Sequence, residues 1–117
     1  MSRYFKDSEL ECKCGCGLNN FSDATLTKFD IAREYAQVPF VIDSACRCEK
    51  HNKEVGGKKD SSHVIGKALD IKATDSRTRA RVLYGLVMAG FNRIGVAKTF
   101  IHADDDETKP SQVVWLY

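Results

Sequence analysis

Three histidines, His51, His63 and His102, are spread over 117 residues, and two of them stand in short patterns with carboxylates. In SSHVIGKALDIK, residues 61–72, His63 precedes Asp70 with Gly66 between them. A glycine-containing connection can fold back and bring both side chains toward one point. In FIHADDD, residues 100–106, strand alternation puts Phe100, His102 and Asp104 on one face and Ile101 and Ala103 on the other. Two imidazole nitrogens and a carboxylate oxygen make a donor set for catalytic zinc, in which three protein ligands leave one position for water. Zinc lowers the pKa of that water toward about 7, so the chemistry is hydrolytic. His63, Asp70 and His102 are therefore candidate metal ligands. Asp104, on the His102 face, is the candidate acceptor for the water proton. A lone histidine near an aspartate more often makes an ordinary hydrogen bond in the core or at the surface, and spacing alone does not separate the two readings.

Such a site needs elements to hold it. Ser22 can cap a helix reaching to about Gln37 with Leu26, Phe29, Ala32 and Ala36 on one face. After Pro39, FVIDSA suits a buried strand ending near Ser44, and the polar stretch that follows reads as a short helix and a loop with a Gly-Gly turn. ALDIK, residues 68–72, is a second strand. Asp75 caps a helix to about Ala89, with Ala80, Leu83 and Val87 inward and three arginines outward, and Gly90 ends it. RIGVAKTFIHADD gives two strand segments around a turn at Ala97-Lys98, and QVVWLY a last strand. Helices and strands interleave without a βαβ rhythm, which predicts an α+β fold with helices packed on a mostly antiparallel sheet. The length and a 43% apolar composition suit a single domain over residues 1–117.

Composition narrows the function classes. Eighteen basic against 16 acidic residues give a net charge of +2, without the cationic excess that nucleic-acid binding usually needs. MSRYFKDSELEC carries no apolar run of signal-peptide length, and no window reaches the roughly 20 apolar residues of a membrane span. Synthesis in the cytoplasm is the expectation, with no stable membrane insertion. Five cysteines cannot all pair internally, and reduced or metal-bound thiols are the default for a cytoplasmic chain. CKCGC (residues 12–16) and CRC (residues 46–48) together offer enough thiolates for a closed tetrahedral zinc site tying the N-terminal loop to a strand end. A disulfide or free thiols are the other readings, and C-x-C is tighter than usual zinc-knuckle spacing.

SSHVIGKALDI is similar to the S-x-H-x-x-G-x-A-x-D signature of the zinc D-alanyl-D-alanine carboxypeptidases, a family that includes phage L-alanyl-D-glutamate endopeptidases. Ser61, His63, Gly66, Ala68 and Asp70 meet its fixed positions. SACRCEKHNKEVGG resembles the family's S-G-Y-R-S-x-x-H-N-x-x-V-G-G stretch at Ser44, Arg47, His51, Asn52, Val55, Gly56 and Gly57, and GFNRIGVAKTFIHADDDE resembles its G-F-x-x-I-G-V…F-x-H-x-D segment. The resemblance implies a peptidoglycan peptidase of the hedgehog/D,D-peptidase fold, with zinc on His63, Asp70 and His102. It also implies a role for Arg47 at the substrate carbonyl or carboxylate, which suits a forked cation beside a metal. Relatives often carry an acid or histidine three positions before the last ligand, where this chain has Thr99, and so Asp104 is the expected base. His51 is expected to cap backbone or to orient a zinc ligand, and Ser61, Ser62, Asp105 and Asp106 to be loop or turn residues.

The leading functional expectation is a monomeric phage lysis enzyme, an endolysin, waiting in the bacterial cytoplasm before release to the cell wall. The alternative is a metal-binding, non-catalytic module of the same fold, acting in wall binding or virion structure.

Overall fold

Capping residues set where the two long helices begin and end. The Ser22 hydroxyl accepts from the Thr25 backbone N–H and starts α2 (Asp23–Ala36), which stops where Gln37 turns left-handed at φ 55°. Asp75 does the same for Thr78 at the start of α4 (Ser76–Met88). Gly90, at φ +92°, closes α4 with Gly90 N–H bonded to Val87 O and Phe91 N–H to Leu86 O, a Schellman arrangement. These ends agree with the sequence reading.

The computed structural model describes residues 2–117. The remaining elements are α1 (Asp7–Leu10), β1 (Ile42–Ser44), α3 (Glu49–Glu54), β2 (Ala68–Lys72), β3 (Arg93–Val96), β4 (Phe100–Asp104) and β5 (Val113–Leu116). The strands form one sheet in the order β1-β2-β4-β3-β5. Pairing is antiparallel except between β3 and β5, which run parallel. This is the expected α+β architecture with a mixed sheet, and α1, which buries Leu10, adds a helix that the sequence reading did not contain.

Alternation along the central strands divides the sheet into an apolar face and a functional one. Leu69, Ile71, Ile94, Ile101 and Ala103 join Phe29, Ala32, Val82 and Leu86 of α2 and α4 in the core. Asp70 and His102 take the opposite parity of the pleat and face away from those helices. The face α4 buries differs from expectation. Val82, Gly85 and Leu86 are buried and Leu83 is partly buried, whereas Ala80 and Val87 are exposed. The reason is a close crossing with α2. A Cβ on Gly85 would come within 2.3 Å of Ala32 O, so the hydrogen-only side chain lets the backbones meet. Arg81 turns toward α2 and donates to Ala36 O and Tyr35 O, satisfying carbonyls at its C-terminus.

Candidate active site

Register brings the first two candidate ligands together. β2 and β4 pair so that Asp70 lies directly opposite His102, on the same face of the sheet. His63 comes from the turn before β2. Gly66, at φ +70°, makes that turn, and a Cβ there would sit 2.2 Å from Asn20 O, so both the backbone conformation and the space require glycine. The turn is pinned by Gly66 N–H to His63 O and by Ser22 N–H to Gly66 O. His63 Nε2 lies 3.2 Å from Asp70 Oδ1, and His102 Nδ1 lies 2.9 Å from the same oxygen. The ligand atoms of the three residues all fall within 4.8 Å of one another.

The other ring nitrogens fix the orientation. His63 Nδ1–H donates to Ala45 O at 2.8 Å, which leaves Nε2 as the nitrogen turned to Asp70. His102 Nε2–H donates to Asp104 Oδ2 at 2.7 Å, which likewise turns Nδ1 inward. Each imidazole is thus held by its outer nitrogen and presents the inner one, the arrangement by which metal-binding histidines are usually oriented. Two nitrogens and a carboxylate oxygen converging in this way fit a zinc ion with a free coordination position.

Electrostatics sustain the constellation. Burial pushes the Asp70 carboxyl upward, but hydrogen bonds and charge from His102 and His63 outweigh it and hold the group well below the usual carboxylate range. Burial opposes a charge on His102, yet Asp104 and Asp70 on its two nitrogens raise its pKa. Asp104 is also lowered despite burial, by His102, by Arg93 and by the backbone N–H of Asp106.

The candidate proton acceptor is placed differently from expectation. Asp104 is only 2% exposed and lies at the outer edge of the His102 ring, opposite Asp70. Oδ2 accepts from His102, while Oδ1 accepts from Arg93 Nε at 2.7 Å and from Asp106 N–H at 3.1 Å. A carboxylate so engaged suits holding the imidazole rather than taking a proton from a water on its far side. Thr99 is exposed in the β3–β4 turn.

Arg47 does reach the constellation. Its Nη2 donates to Ser44 Oγ at 3.0 Å and lies 3.9 Å from Asp70 Oδ2, while Nη1 donates to Asn52 Oδ1 at 2.9 Å. Asn52 is anchored in turn by donating Nδ2–H to Lys58 O. A Cβ on Gly57 would meet Asn52 Oδ1 at 2.0 Å and Arg47 Nη1 at 2.8 Å, so the Gly-Gly turn makes room for this pair. His51 lines a groove with Cys14, Cys16 and Cys48.

The loop residues divide. Ser61 accepts from His63 N–H, as a turn residue would. Ser62 donates to Asp106, which is 3% exposed and also accepts from Thr108 and pairs with Lys109. Asp106 is therefore a buried organising group rather than a simple turn residue. Asp105 pairs with Lys28.

Sequence reasoning missed the residues that frame the site from the sheet edge. Gly95 pairs with Trp115 across β3 and β5 and with His102 across β3 and β4. The Trp115 ring lies 5.5 Å from that of His102, Arg93 stacks over Trp115, and Tyr117 follows beside it. Alternation in QVVWLY could have put Trp115 and Tyr117 on one face, but nothing local shows that β5 runs parallel to β3. Among the cysteines, Cys12, Cys14, Cys16 and Cys48 come together, and Cys46 is buried apart from them beside Asn19.

The family described as Peptidase M15 matches residues 3–104 of the chain. That span contains the three candidate ligands, Arg47 and Asp104, and stops short of β5. No curated protein matches the chain.

Proposed function

Because this chain belongs to the Peptidase M15 family, we propose that it is a zinc-dependent peptidase hydrolysing a peptide bond in bacterial peptidoglycan. The observation that carries the reading is the convergence of His63 Nε2, Asp70 Oδ1 and His102 Nδ1, with each imidazole held from behind. These three residues would hold the metal. Bound zinc supplies a Lewis acid and lowers the pKa of a coordinated water toward about 7.

The chain's own groups do the rest. Ala45 O and Asp104 hold the two histidine rings in the tautomers that face the metal position. Arg93 holds Asp104 in turn. Arg47, braced by Ser44 and Asn52, presents a fixed guanidinium beside Asp70 and is assigned to the developing oxyanion or to a stem-peptide carboxylate. Trp115 and Tyr117 form an aromatic wall along one side, able to pack against the apolar parts of a peptide.

The finer assignment is to a phage lysis enzyme, made in the host cytoplasm and released to the wall. Its support is the likeness of SSHVIGKALDI to the signature of a family that includes phage endopeptidases beside D,D-carboxypeptidases. The bond cleaved is then either L-alanyl-D-glutamate within the stem or a D,D-linkage. Zinc-loaded protein incubated with purified peptidoglycan, with released fragments identified by mass spectrometry, tests both points. New termini at one bond, absent with His63→Ala, are expected. An intact wall in the presence of fully zinc-loaded protein overturns the peptidase reading.

The placement of Asp104 and the exposed Thr99 favour a second reading, a metal-binding module without hydrolytic activity. It predicts that zinc-loaded protein binds the wall and releases nothing.

A further inference from the structure

Four of the five cysteines come from two stretches far apart in sequence and meet in one place. Cys12, Cys14 and Cys16 lie in the loop after α1, and Cys48 is the N-cap residue of α3. Their sulfurs all lie within 4.8 Å of one another, with Cys12–Cys14 at 3.4 Å and Cys14–Cys48 at 3.7 Å. Zinc–sulfur bonds of about 2.3 Å in a tetrahedron set the sulfurs about 3.8 Å apart along each edge. The two spacings of 3.4 and 3.7 Å lie within about 0.4 Å of that edge, and the remaining ones are no longer than 4.8 Å.

The surroundings suit bound thiolates. Cys12 accepts from the backbone N–H of Cys48 at 3.4 Å, and Cys48 accepts from the backbone N–H of His51 at 3.3 Å, so amide donors already point at two of the sulfurs. Gly15 and Gly17, at φ +87° and +81°, take the left-handed turns that let three cysteines at alternate positions aim at one point. Neither glycine is required by space, since a Cβ there would meet nothing within 4 Å. The backbone conformation is what calls for them. Lys50 lines the adjoining groove with His51 and Glu54 and offers a cation to a centre that four thiolates on one dication leave at net charge −2.

We propose that Cys12, Cys14, Cys16 and Cys48 form a closed tetrathiolate site for a second, structural zinc ion that shares no residue with the His63, Asp70 and His102 constellation. Binding exchanges up to four thiol protons for one Zn²⁺ and changes no oxidation state. The ion fastens the N-terminal loop to the start of α3, immediately after Arg47 and four residues before Asn52. Its structural consequence is to fix the segment that presents Arg47.

The test uses the full chain, purified reduced and without oxygen, loaded with Zn²⁺ or Co²⁺. Wild type is expected to bind two zinc ions per chain. His63→Ala is expected to keep one, with an intense thiolate-to-cobalt charge-transfer absorption when cobalt replaces zinc. A Cys14→Ser/Cys16→Ser double variant is expected to lose that absorption and one equivalent of metal. Should the double variant fail to fold, the cobalt spectrum of His63→Ala and metal protection of the wild-type thiols against alkylation carry the test. Absence of the charge-transfer band in cobalt-loaded wild type, or disulfides joining these four cysteines in the anaerobic protein, overturns the proposal. Failure of wall hydrolysis leaves the spectrum unchanged, so the two readings fail separately.

Discussion

His102 is held at both ring nitrogens, by Asp70 on one side and Asp104 on the other. If Asp104 acts by holding the ring, Asp104→Asn weakens zinc binding by about 10- to 100-fold, the usual cost of losing such a partner. Much of the lost activity should then return at saturating zinc. A zinc titration with kcat measured at saturation checks this, because loss of a proton acceptor would leave kcat low however much zinc is bound. Asp106 makes a separate prediction about acid stability. Burial opposes its charge, but Thr108, Ser62 and Lys109 outweigh that and bring its pKa from 3.8 to about 2. The folded pKa is depressed, so its contribution is full above the unfolded value and is lost as pH falls from about 4 toward 2. Asp106→Asn should flatten that part of the stability curve, measured by denaturant unfolding across the range. At this scale the convergence of His63, Asp70 and His102 was legible from the short patterns and strand parity, and the likeness to the zinc peptidase signature is what singled the three out as ligands. The contacts of Asp104 were not, since parity gives a face and not the ring nitrogen a carboxylate meets.

Helix ends were legible because Ser22, Asp75 and Gly90 act on their own neighbours. The inward face of α4 was not, because Ala80 and Val87 are as apolar as the residues that replace them there. What decides is the approach of α2, set by Gly85 and by Arg81 reaching the α2 carbonyls. Gly85→Ala should therefore cost about 1–3 kcal/mol despite its helix-favouring side chain, since the new methyl meets backbone that has little freedom to retreat. Thermal or denaturant unfolding measures it. Zinc bound per folded chain should stay unchanged, because α2 and α4 cover the face of the sheet away from Asp70 and His102. The parallel pairing of β5 with β3 was likewise hidden, because strand character in QVVWLY carries no information about its neighbour or direction.

Across the whole molecule, the site draws on nearly every part of the chain. The turn before β2 supplies His63, β2 supplies Asp70, β4 supplies His102, the segment after β1 supplies Arg47, and β5 supplies Trp115. Trp115 and Tyr117 of the aromatic wall lie outside the span that the family matches, residues 3–104. Asp70 and His102 are direct cross-strand partners, and a one-residue slip between β2 and β4 would put them on opposite faces of the sheet. A metal bound to both would act as a rivet through two adjacent strands, making the centre a lock on alignment as well as a reagent. Local opening of the sheet and escape of the ion then become a single event. Amide protons of β2 and β4 should exchange more slowly with zinc present, in proportion to its occupancy, and a chelator should release them together.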